Sequence, residues 1–322
     1  MKTFVTGGTG FIGTHVVRQL VERGHEPICL VRPTSETAAL DSLGVTLVRG
    51  DVTDSASLLA AMGDCDWVVN LANIYSWWEP DPQIYHEVNV AGTQKVMECA
   101  LETQVAKVVH VSTAYVYGKP ATAPFTEDTP VGSTRPSAYT RTKYQGDVRA
   151  WQLCTEKGLP LVIVYPGVVL GAGDPKPTGR YIQRFLAGQV PRIAFTTAVH
   201  TYVHVADVAK AIVCALEKPG NIGEKYLVGK HQLSIQSFNE LISEISGAAL
   251  PRTAPGLITL LMATFQTWRA DWTKQPPKLA PLDYIRVIRD GCAFDGSKAE
   301  HELGLTYTPI YDTLKEAIAW YQ

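Results

Sequence analysis

The 322-residue sequence lacks an excess of either charge, because 29 Lys and Arg residues balance 31 Asp and Glu residues and leave a net charge of −2. Proteins that bind nucleic acid usually carry a basic domain or stripe, so we expect no nucleic-acid partner. Long apolar runs are also missing. The longest one near the C-terminus, Leu257–Phe265, is about half as long as the ~20-residue stretch of a spanning helix. We therefore expect no stable membrane span.

Clustered metal or disulfide ligands are lacking as well. The six cysteines stand far apart, no CxxC pair occurs, and no histidines cluster together. This spacing excludes a zinc-ligand pattern and the framework of a small secreted disulfide protein. The N-terminal Met1–Lys2 leads directly into a short β-branched run and a glycine-rich stretch, unlike a secretory signal peptide. We expect a cytoplasmic protein with reduced, buried thiols and no metal.

Short β-branched runs alternate with helical patterns through the first half of the chain, which is typical of βαβ units and a parallel sheet. Between the first two runs, Gly13–Glu22 has apolar residues at helical spacing and is followed by Arg23–Gly24, a typical helix end. The continuous apolar strands indicate a sheet covered by helices on both faces. The predicted strands are Thr3–Thr6, Glu26–Val31, Thr46–Arg49, Trp67–Leu71, Lys107–Val111, Leu161–Tyr165 and Lys225–Val228.

Beyond Pro166 the composition changes to a Gly- and Pro-rich stretch, and most of the remaining chain has a helical pattern. We predict an α/β protein with a Rossmann-type doubly wound parallel sheet and a smaller, mainly C-terminal substrate-binding cap. Residues 1–168 would form the dinucleotide-binding domain, onto which residues 200–230 pack. Residues 169–199 and 231–322 would form the cap.

Three glycines, Gly7, Gly10 and Gly13, connect the first predicted strand to the first helix with GxxGxxG spacing. Such glycines permit a tight turn, a close backbone approach to a pyrophosphate and close packing of helix on strand. The helix N-terminus then offers free amides and a positive dipole end to the anion. An ordinary glycine-rich turn is the alternative. In the dinucleotide interpretation, further cofactor contacts come from Thr9, Phe11 and Ile12.

The end of the second strand bears on the choice of cofactor. An acidic residue there would bind the 2′-hydroxyl of NAD, whereas Arg accommodates the 2′-phosphate of NADP. The sequence has Arg32 at this point, with Thr34 and Ser35 as further donors, so it favours NADP and leaves NAD open. A solvated Arg32 is the alternative. Asp51, after the third strand, is placed to accept the adenine amino group, or else forms an Asx turn.

Tyr139 and Lys143 are four residues apart, which puts both side chains on one face of a helix. A phenol needs a nearby cation to act as an acid or base near neutral pH, and Lys143 would supply that charge. Tyr139 is thus a candidate acid for a carbonyl oxygen that receives hydride. Ser112 and Thr113 end the fifth strand, where a hydroxyl can donate to that oxygen. A turn-capping role is the alternative for both.

Taken together, these segments resemble the extended short-chain dehydrogenases/reductases of the NAD(P)-dependent epimerase/dehydratase family, over essentially the whole chain. Within that family the sequence is most similar to the branch of dihydroflavonol reductases, 3β-hydroxysteroid dehydrogenases and hopanoid-associated epimerase-like proteins. The segments that carry the resemblance are Thr6–Gly13, Gly50–Val52, Asn70–Asn73, Val88–Thr93, Ser112–Gly118, Tyr139–Lys143, Pro166–Gly167, Tyr202–Ala209 and Phe294–Gly304.

The resemblance implies a role for each matching position. Tyr139 becomes the acid/base and Lys143 its partner, with Thr113 as the third catalytic group and Ser112 as the alternative. The cofactor would also contact Asp51, Val52, Leu71, Ala72, Asn73, Pro166 and Val168. The family's oligomers imply a homodimer, or else the chain is a monomer.

Two departures concern the substrate. Sugar-nucleotide epimerases of this family carry Arg where this chain has His200, and another Arg where it has Tyr165. Since Arg is suited to diphosphates, its loss favours a substrate other than a nucleotide sugar, unless arginines from residues 180–192 compensate. The loop after the fourth strand offers Tyr75, Trp77 and Trp78 for an apolar pocket, with Tyr165 nearby, or for packing against the cap.

These observations predict an NADP(H)-dependent oxidoreductase that reduces a small-molecule ketone or aldehyde, or oxidises the alcohol. The alternative is a sugar or sugar-nucleotide epimerase or dehydratase that uses the same Tyr/Lys/Thr site. A non-catalytic dinucleotide-binding module would not need Tyr139, Lys143 and Thr113 together.

Overall fold

In the computed structural model, which describes all residues from Met1 to Gln322, a sheet of seven parallel strands forms the centre of the protein. The strand order is β10-β6-β5-β4-β1-β2-β3, so the connections reverse direction between β1 and β4. This doubly wound arrangement confirms the predicted fold class. The strands are β1 Lys2–Thr6, β2 Glu26–Val31, β3 Thr46–Arg49, β4 Trp67–Asn70, β5 Lys107–Val111, β6 Leu161–Pro166 and β10 Lys225–Val228.

Helices cover both faces of this sheet, as its buried strands require. On one face, α1 and α8 bury an apolar stripe that includes Val16, Val17 and Leu20 against alternate strand residues. On the other face, α3, α5 and α6 enclose a second core. The helices of this half are α1 Phe11–Glu22, α2 Ala38–Asp41, α3 Ser55–Met62, α4 Gln83–His86, α5 Thr93–Glu102, α6 Ala138–Lys157 and α8 Val205–Glu217, with a π-helical turn Glu87–Gly92 joining α4 to α5.

The cap has a small core of its own. Strands β7, β9 and β11 form a three-stranded sheet, and α7, α9 and α13 pack on it around Phe185, Phe238 and Leu314. A pair of two-residue strands, β8 and β12, lies beside them. The cap elements are β7 Val168–Leu170, α7 Pro177–Leu186, β8 Arg192–Ile193, β9 Val199–His204, β11 His231–Ser234, α9 Ile235–Ser246, β12 Arg252–Thr253, α10 Gly256–Thr273, α11 Leu282–Asp290 and α13 Ile310–Tyr321.

The predicted division of the chain needs two corrections. Residues 200–204, predicted to pack onto the dinucleotide-binding half, belong to β9, the middle strand of the cap sheet. Conversely, part of residues 231–322, predicted as cap, belongs to the central unit. Cys292 and Phe294 lie in the core under the central sheet, and α12 (Ser297–Leu303) packs on α8 and β10. The cap is therefore inserted between strands and helices of the central unit.

All the predicted site segments meet at the carboxyl edge of the central sheet. Parallel strands bring the residues after β1, β2, β3, β4, β5 and β6 to this edge, on both sides of the reversal point. Ligands of open α/β sheets bind at that position. Separately, none of the helices has the length and apolar character needed to cross a bilayer.

Candidate active site

The glycine loop provides a cradle that only glycine fits. Gly7 has a φ of +70°, and a Cβ there would lie 2.8 Å from the Ala72 amide nitrogen. At Gly13 a Cβ would lie 2.1 Å from the carbonyl oxygen of Gly7. The Gly10 N–H donates to that same oxygen, while the N–H groups of residues 11–13 have no protein acceptor. Free amides at a helix start fit a pyrophosphate.

A second cationic group, missed from the sequence, lies beside Arg32. Arg49, the last residue of β3, donates from Nη1 to the Arg32 carbonyl oxygen over 3.1 Å. The side chain of Arg32 is exposed and has no protein partner, while its N–H donates to the Ser35 hydroxyl. Two guanidinium groups therefore stand at the end of β2 and β3. The parallel pairing of β2 with β3 brings them together, which a search within one segment could not reveal.

The contacts of Asp51 match the Asx-turn alternative. Its Oδ1 accepts from the N–H of Thr53 at 2.9 Å and from the Thr53 hydroxyl at 2.8 Å. Nearby, Asn73 donates to the Leu71 carbonyl, and its own Oδ1 is buried without a partner. A buried acceptor without a partner fits a bound group with a donor. Val52 and Leu71 lie in the apolar core, so only their backbones face this edge.

The helix α6 positions Tyr139 and Lys143. Its first turn is capped by Ser137, whose Oγ accepts from the Thr140 N–H. Lys143 is buried, with Nζ donating to the Val111 carbonyl oxygen at 2.9 Å, which leaves two of its three N–H groups free. Burial lowers the pKa of Lys143 to about 8, and the nearby Asp147 opposes this shift. Burial raises the pKa of Tyr139, and the neighbouring Thr113 hydroxyl lowers it in part.

The two hydroxyls that end β5 have different partners. Ser112 donates its only hydroxyl proton to Asp147 Oδ2 at 2.8 Å, beneath the site. Thr113 accepts the Tyr115 N–H over 3.4 Å, and its own hydroxyl lies beside Tyr139, with no carboxylate or carbonyl acceptor for its proton. A donor for a substrate oxygen needs a free proton, so the geometry favours Thr113 over Ser112.

A buried chain of polar groups, also missed from the sequence, runs under the sheet edge. The Thr6 hydroxyl donates to Asn70 Oδ1 at 2.6 Å, and the Asn70 amide lies 3.1 Å from His110 Nδ1. The other ring nitrogen of His110 lies 3.2 Å from Asp147 Oδ1. Burial lowers the pKa of His110, so the ring is neutral and donates from Nε2 to the carboxylate. This chain connects the glycine-loop strand with the helix of Tyr139 and Lys143.

Aromatic rings form a wall over Tyr139. The ring centroids of Tyr75 and Trp77 lie 5.0 Å and 5.5 Å from that of Tyr139. Tyr284 of α11, which the sequence analysis missed, lies 5.7 Å from Trp77. Trp77 Nε1 is buried without a partner, beside the candidate acid. Trp78 packs against the cap instead of lining a pocket. Its Nε1 donates to Asp271 of α10 at 2.9 Å and so ties the loop to the cap.

Tyr165, which the sequence placed near the substrate, is packed in the core. Its side chain is buried in the core beneath α6, with its ring edge-on to Tyr117 at 5.5 Å. Side chains of a strand alternate between faces, and Tyr165 falls on the face of Leu161 and Ile163. His200, at the other departure from the family, accepts from the Tyr115 hydroxyl and donates to the Ile288 carbonyl. Burial lowers the pKa of His200 to about 4, so it is uncharged at neutral pH.

Comparison with known proteins agrees with this geometry. The profile of the NAD dependent epimerase/dehydratase family matches residues 3–229. A putative dihydroflavonol 4-reductase from Synechocystis sp. is 31% identical, over 99% of this chain and 94% of its own. A UDP-glucose 4-epimerase from Neisseria meningitidis serogroup B is 27% identical, over 77% of this chain and 82% of its own. The crystal structure of gox2253 matches with a TM-score of 0.86 and 33% identity, over 99% of this chain and 97% of its own. The chain thus belongs to the NAD-dependent epimerase/dehydratase family, in the extended short-chain dehydrogenase/reductase branch, and is an enzyme of that family.

Proposed function

We propose that this enzyme is an NADP(H)-dependent oxidoreductase that reduces a ketone or aldehyde, or oxidises the corresponding alcohol. The observation that carries the proposal is the Tyr139 hydroxyl, which has the Thr113 hydroxyl on one side and a wall of aromatic rings above it. Lys143 lies one helical turn away, buried and with two N–H groups free.

The residues divide the chemistry between them. When bound, the nicotinamide cofactor would supply the hydride that reduces the carbonyl carbon. Thr113 would donate a hydrogen bond to the carbonyl oxygen, which stabilises the charge that develops there. Tyr139 would give its proton to that oxygen, and the Lys143 ammonium would stabilise the resulting phenolate.

Cationic groups support the preference for NADP. Arg32 and Arg49 stand together after β2 and β3, and the end of β2 has no acidic side chain that would accept from a ribose 2′-hydroxyl. Guanidinium groups match phosphate oxygens with paired donors. The glycine cradle and the free amides of residues 11–13 would take the pyrophosphate.

The wall over Tyr139 supports an uncharged substrate with an apolar body. Tyr75, Trp77 and Tyr284 supply ring faces, and His200 is neutral at the position where the family's epimerases have Arg. The compensating arginines considered from the sequence, at positions 180, 184 and 192, are all exposed. Trp77 Nε1 offers one hydrogen-bond donor to a polar group of the substrate.

Replacing Tyr139 with Phe tests the proposal. Turnover of a responsive ketone or aldehyde, followed at the nicotinamide absorbance, should fall about 100-fold or more because the acid is removed. NADPH binding, measured by fluorescence titration, should stay within about twofold, since the ring remains. Tyr144→Phe is the matched control on the same helix, because the Tyr144 hydroxyl has no hydrogen-bond partner while its ring packs under Arg135. Full turnover by Tyr139→Phe would refute the assignment.

An epimerase is the second candidate, favoured by the similarity to the Neisseria enzyme. Such a reaction keeps the dinucleotide bound through the cycle. Denaturing the purified protein and identifying the released nucleotide separates the two candidates. Stoichiometric NAD⁺ with turnover of a sugar nucleotide would favour the epimerase, whereas exchangeable NADP(H) and net reduction of a carbonyl would favour the oxidoreductase.

A further inference from the structure

The outer face of α10 is an uninterrupted apolar surface. The side chains along it are at least half exposed: Leu257 71%, Ile258 52%, Leu261 62%, Met262 50%, Phe265 58%, Trp268 60% and Trp272 78%. The rings of Trp268 and Trp272 stack with centroids 6.3 Å apart, and Phe265 lies beside Trp268 at 6.0 Å. Contiguous exposed patches of this kind usually mark interaction sites in folded proteins.

The inner face of the same helix is firmly attached to the protein. Ala263 and Ala270 are buried, and the Thr267 hydroxyl accepts from the N–H of Leu282 at 2.8 Å. Asp271 accepts from Trp78 Nε1, so the helix is tied to the loop that carries Trp77. The exposed stripe is therefore the outward side of a docked, amphipathic helix, next to the candidate substrate wall.

The charges around α10 differ from those of the rest of the chain. Residues 248–281 contain four basic residues (Arg252, Arg269, Lys274 and Lys278) against one acid, Asp271, so their net charge is 4 − 1 = +3. Because the whole chain carries −2, the remainder carries −5. Arg252, Lys274 and Lys278 are exposed at the two ends of the helix. The next acidic residue beyond this segment, Asp283, is held by the Ala138 N–H.

We propose that the outer face of α10 docks onto the surface of an anionic lipid bilayer. An amphipathic helix with Leu, Phe and Trp on one face and basic groups at its margins lies in the bilayer interface, with tryptophans at headgroup depth. Basic residues beside it are attracted to anionic headgroups. A second copy of this chain fits the face less well, because two segments of charge +3 would meet. The helix rests on the surface, since it is not suited to span the membrane.

This docking would put the lipid surface beside the loop of Trp77 and Trp78. The Trp78–Asp271 hydrogen bond and the contact of Lys274 with the Pro80 carbonyl hold α10 to that loop. An apolar substrate dissolved in the bilayer would then have a short path to the aromatic wall over Tyr139. Docking itself does not depend on the proposed reaction and is measured without turnover.

Vesicle flotation tests the docking with the intact chain. Wild-type protein should float with vesicles of phosphatidylcholine and phosphatidylglycerol in equal parts, and about tenfold less with phosphatidylcholine alone. Raised salt should weaken the binding, because it screens the basic groups. The double variant Trp268→Ser/Trp272→Ser should partition about tenfold less, since two large apolar side chains are lost. Lys274→Gln/Lys278→Gln should reduce binding to the anionic vesicles only.

Trp320→Ser is the matched control, because Trp320 is equally exposed but lies on α13. It should float like the wild type, and a far-ultraviolet circular dichroism spectrum and a Tm equal to those of the wild type verify that each variant has folded. Absence of flotation with anionic vesicles would overturn the proposal, as would flotation unaffected by the two tryptophan substitutions. If light scattering gives a dimer that Trp268→Ser/Trp272→Ser converts to a monomer, a second copy covers the face and the proposal is wrong.

Discussion

At the scale of single residues, Asp147 supports the chemistry without facing the substrate. It lies one turn after Lys143 on α6 and is buried. Its two oxygens accept from Ser112 and from His110, which fixes the carboxylate beneath Lys143. The other titratable groups around this pair are Tyr139, Tyr165, Tyr117 and Arg135. Asp147 is thus a positioning residue that favours the ammonium form of Lys143 in a buried place.

Asp147→Asn should change the pH profile of the enzyme. Lys143 is an ammonium below its pKa of about 8 and neutral above it, so kcat/KM should fall as the pH rises through that value. The carboxylate raises this pKa, because an opposite charge nearby shifts a pKa by about 1–3 units. Without it, the fall in kcat/KM should move down by about one pH unit or more. Rates measured from pH 5 to 10 would give the shift.

Asn keeps one acceptor oxygen, for His110, and its amide N–H can donate to the Ser112 oxygen if that hydroxyl rotates, so a structural role alone would leave the pH profile in place. Asp147→Glu, which restores the charge, should return the alkaline limb toward its wild-type position. The interpretation would be abandoned if Asp147→Asn lowered the rate equally at every pH, or if the profile stayed unchanged.

The residues of the site were predictable to the degree that their signal is local. The four-residue spacing of Tyr139 and Lys143 indicates that they share one helix face, and the structure brings them together with Thr113. Asp147 follows at the same spacing, but its role depends on His110 and Ser112 from β5. Tyr284 reaches the aromatic wall from α11, which is far from Tyr139 in the sequence, so no local pattern indicates this contact. Tyr165 is packed in the core, and the continuous apolar sequence of a buried strand does not indicate which face each side chain takes.

At the scale of elements, the strand–turn–helix unit from β1 to α1 has the least room for change. Gly13 approaches the Gly7 carbonyl so closely that an added Cβ would lie 2.1 Å from the oxygen. The Gly7 backbone itself is packed against residues 71 and 72 after β4, so the loop has no free direction in which to move. Cofactor binding should therefore be more sensitive here than folding of the rest of the sheet.

Gly13→Ala should weaken NADPH binding by about tenfold or more. Overpacking of this kind costs about 1–3 kcal/mol, and about 1.4 kcal/mol corresponds to tenfold in affinity. Fluorescence titration of NADPH measures the change. Gly63→Ala is the matched control, because an added Cβ there has its first neighbour at 3.6 Å and the position lies at the end of α3. Equal affinities of the two variants would contradict the proposed phosphate cradle.

Elements with a strong local pattern were predicted well, and short paired ones were not. The observed strands β2, β3, β5 and β10 have the predicted bounds, because each is a short apolar or β-branched run. The cap sheet was missed, since β7 and β11 have three and four residues and exist through pairing with β9. No local pattern indicates the π-helical turn Glu87–Gly92. There, Asn89 holds the Ile74 backbone and Thr142 of α6.

At the scale of the whole molecule, the cap is an insertion that cannot be separated from the central unit. After α11 the chain returns to the central cores with Phe294, Ala299, Leu303 and Tyr307, and only then adds α13 to the cap. Backbone bridges join Phe125 to Phe294 and His200 to Cys292. Loss of the cap core would therefore expose core residues of the sheet. We expect both parts to unfold together.

Thermal unfolding tests both whether the central unit and the cap unfold together and which cofactor the protein prefers. Tryptophan fluorescence and far-ultraviolet circular dichroism should give one coincident transition, since no core stands alone. NADPH at about 100 times its Kd adds ~2.7 kcal/mol, which should raise Tm by roughly 5 °C. NADH at the same concentration should raise it less, because it lacks the phosphate that Arg32 and Arg49 would bind. Arg32→Ala should shrink this difference while leaving the Tm without cofactor unchanged, as Arg32 is exposed. Equal shifts by both cofactors in the wild type would contradict the preference for NADP.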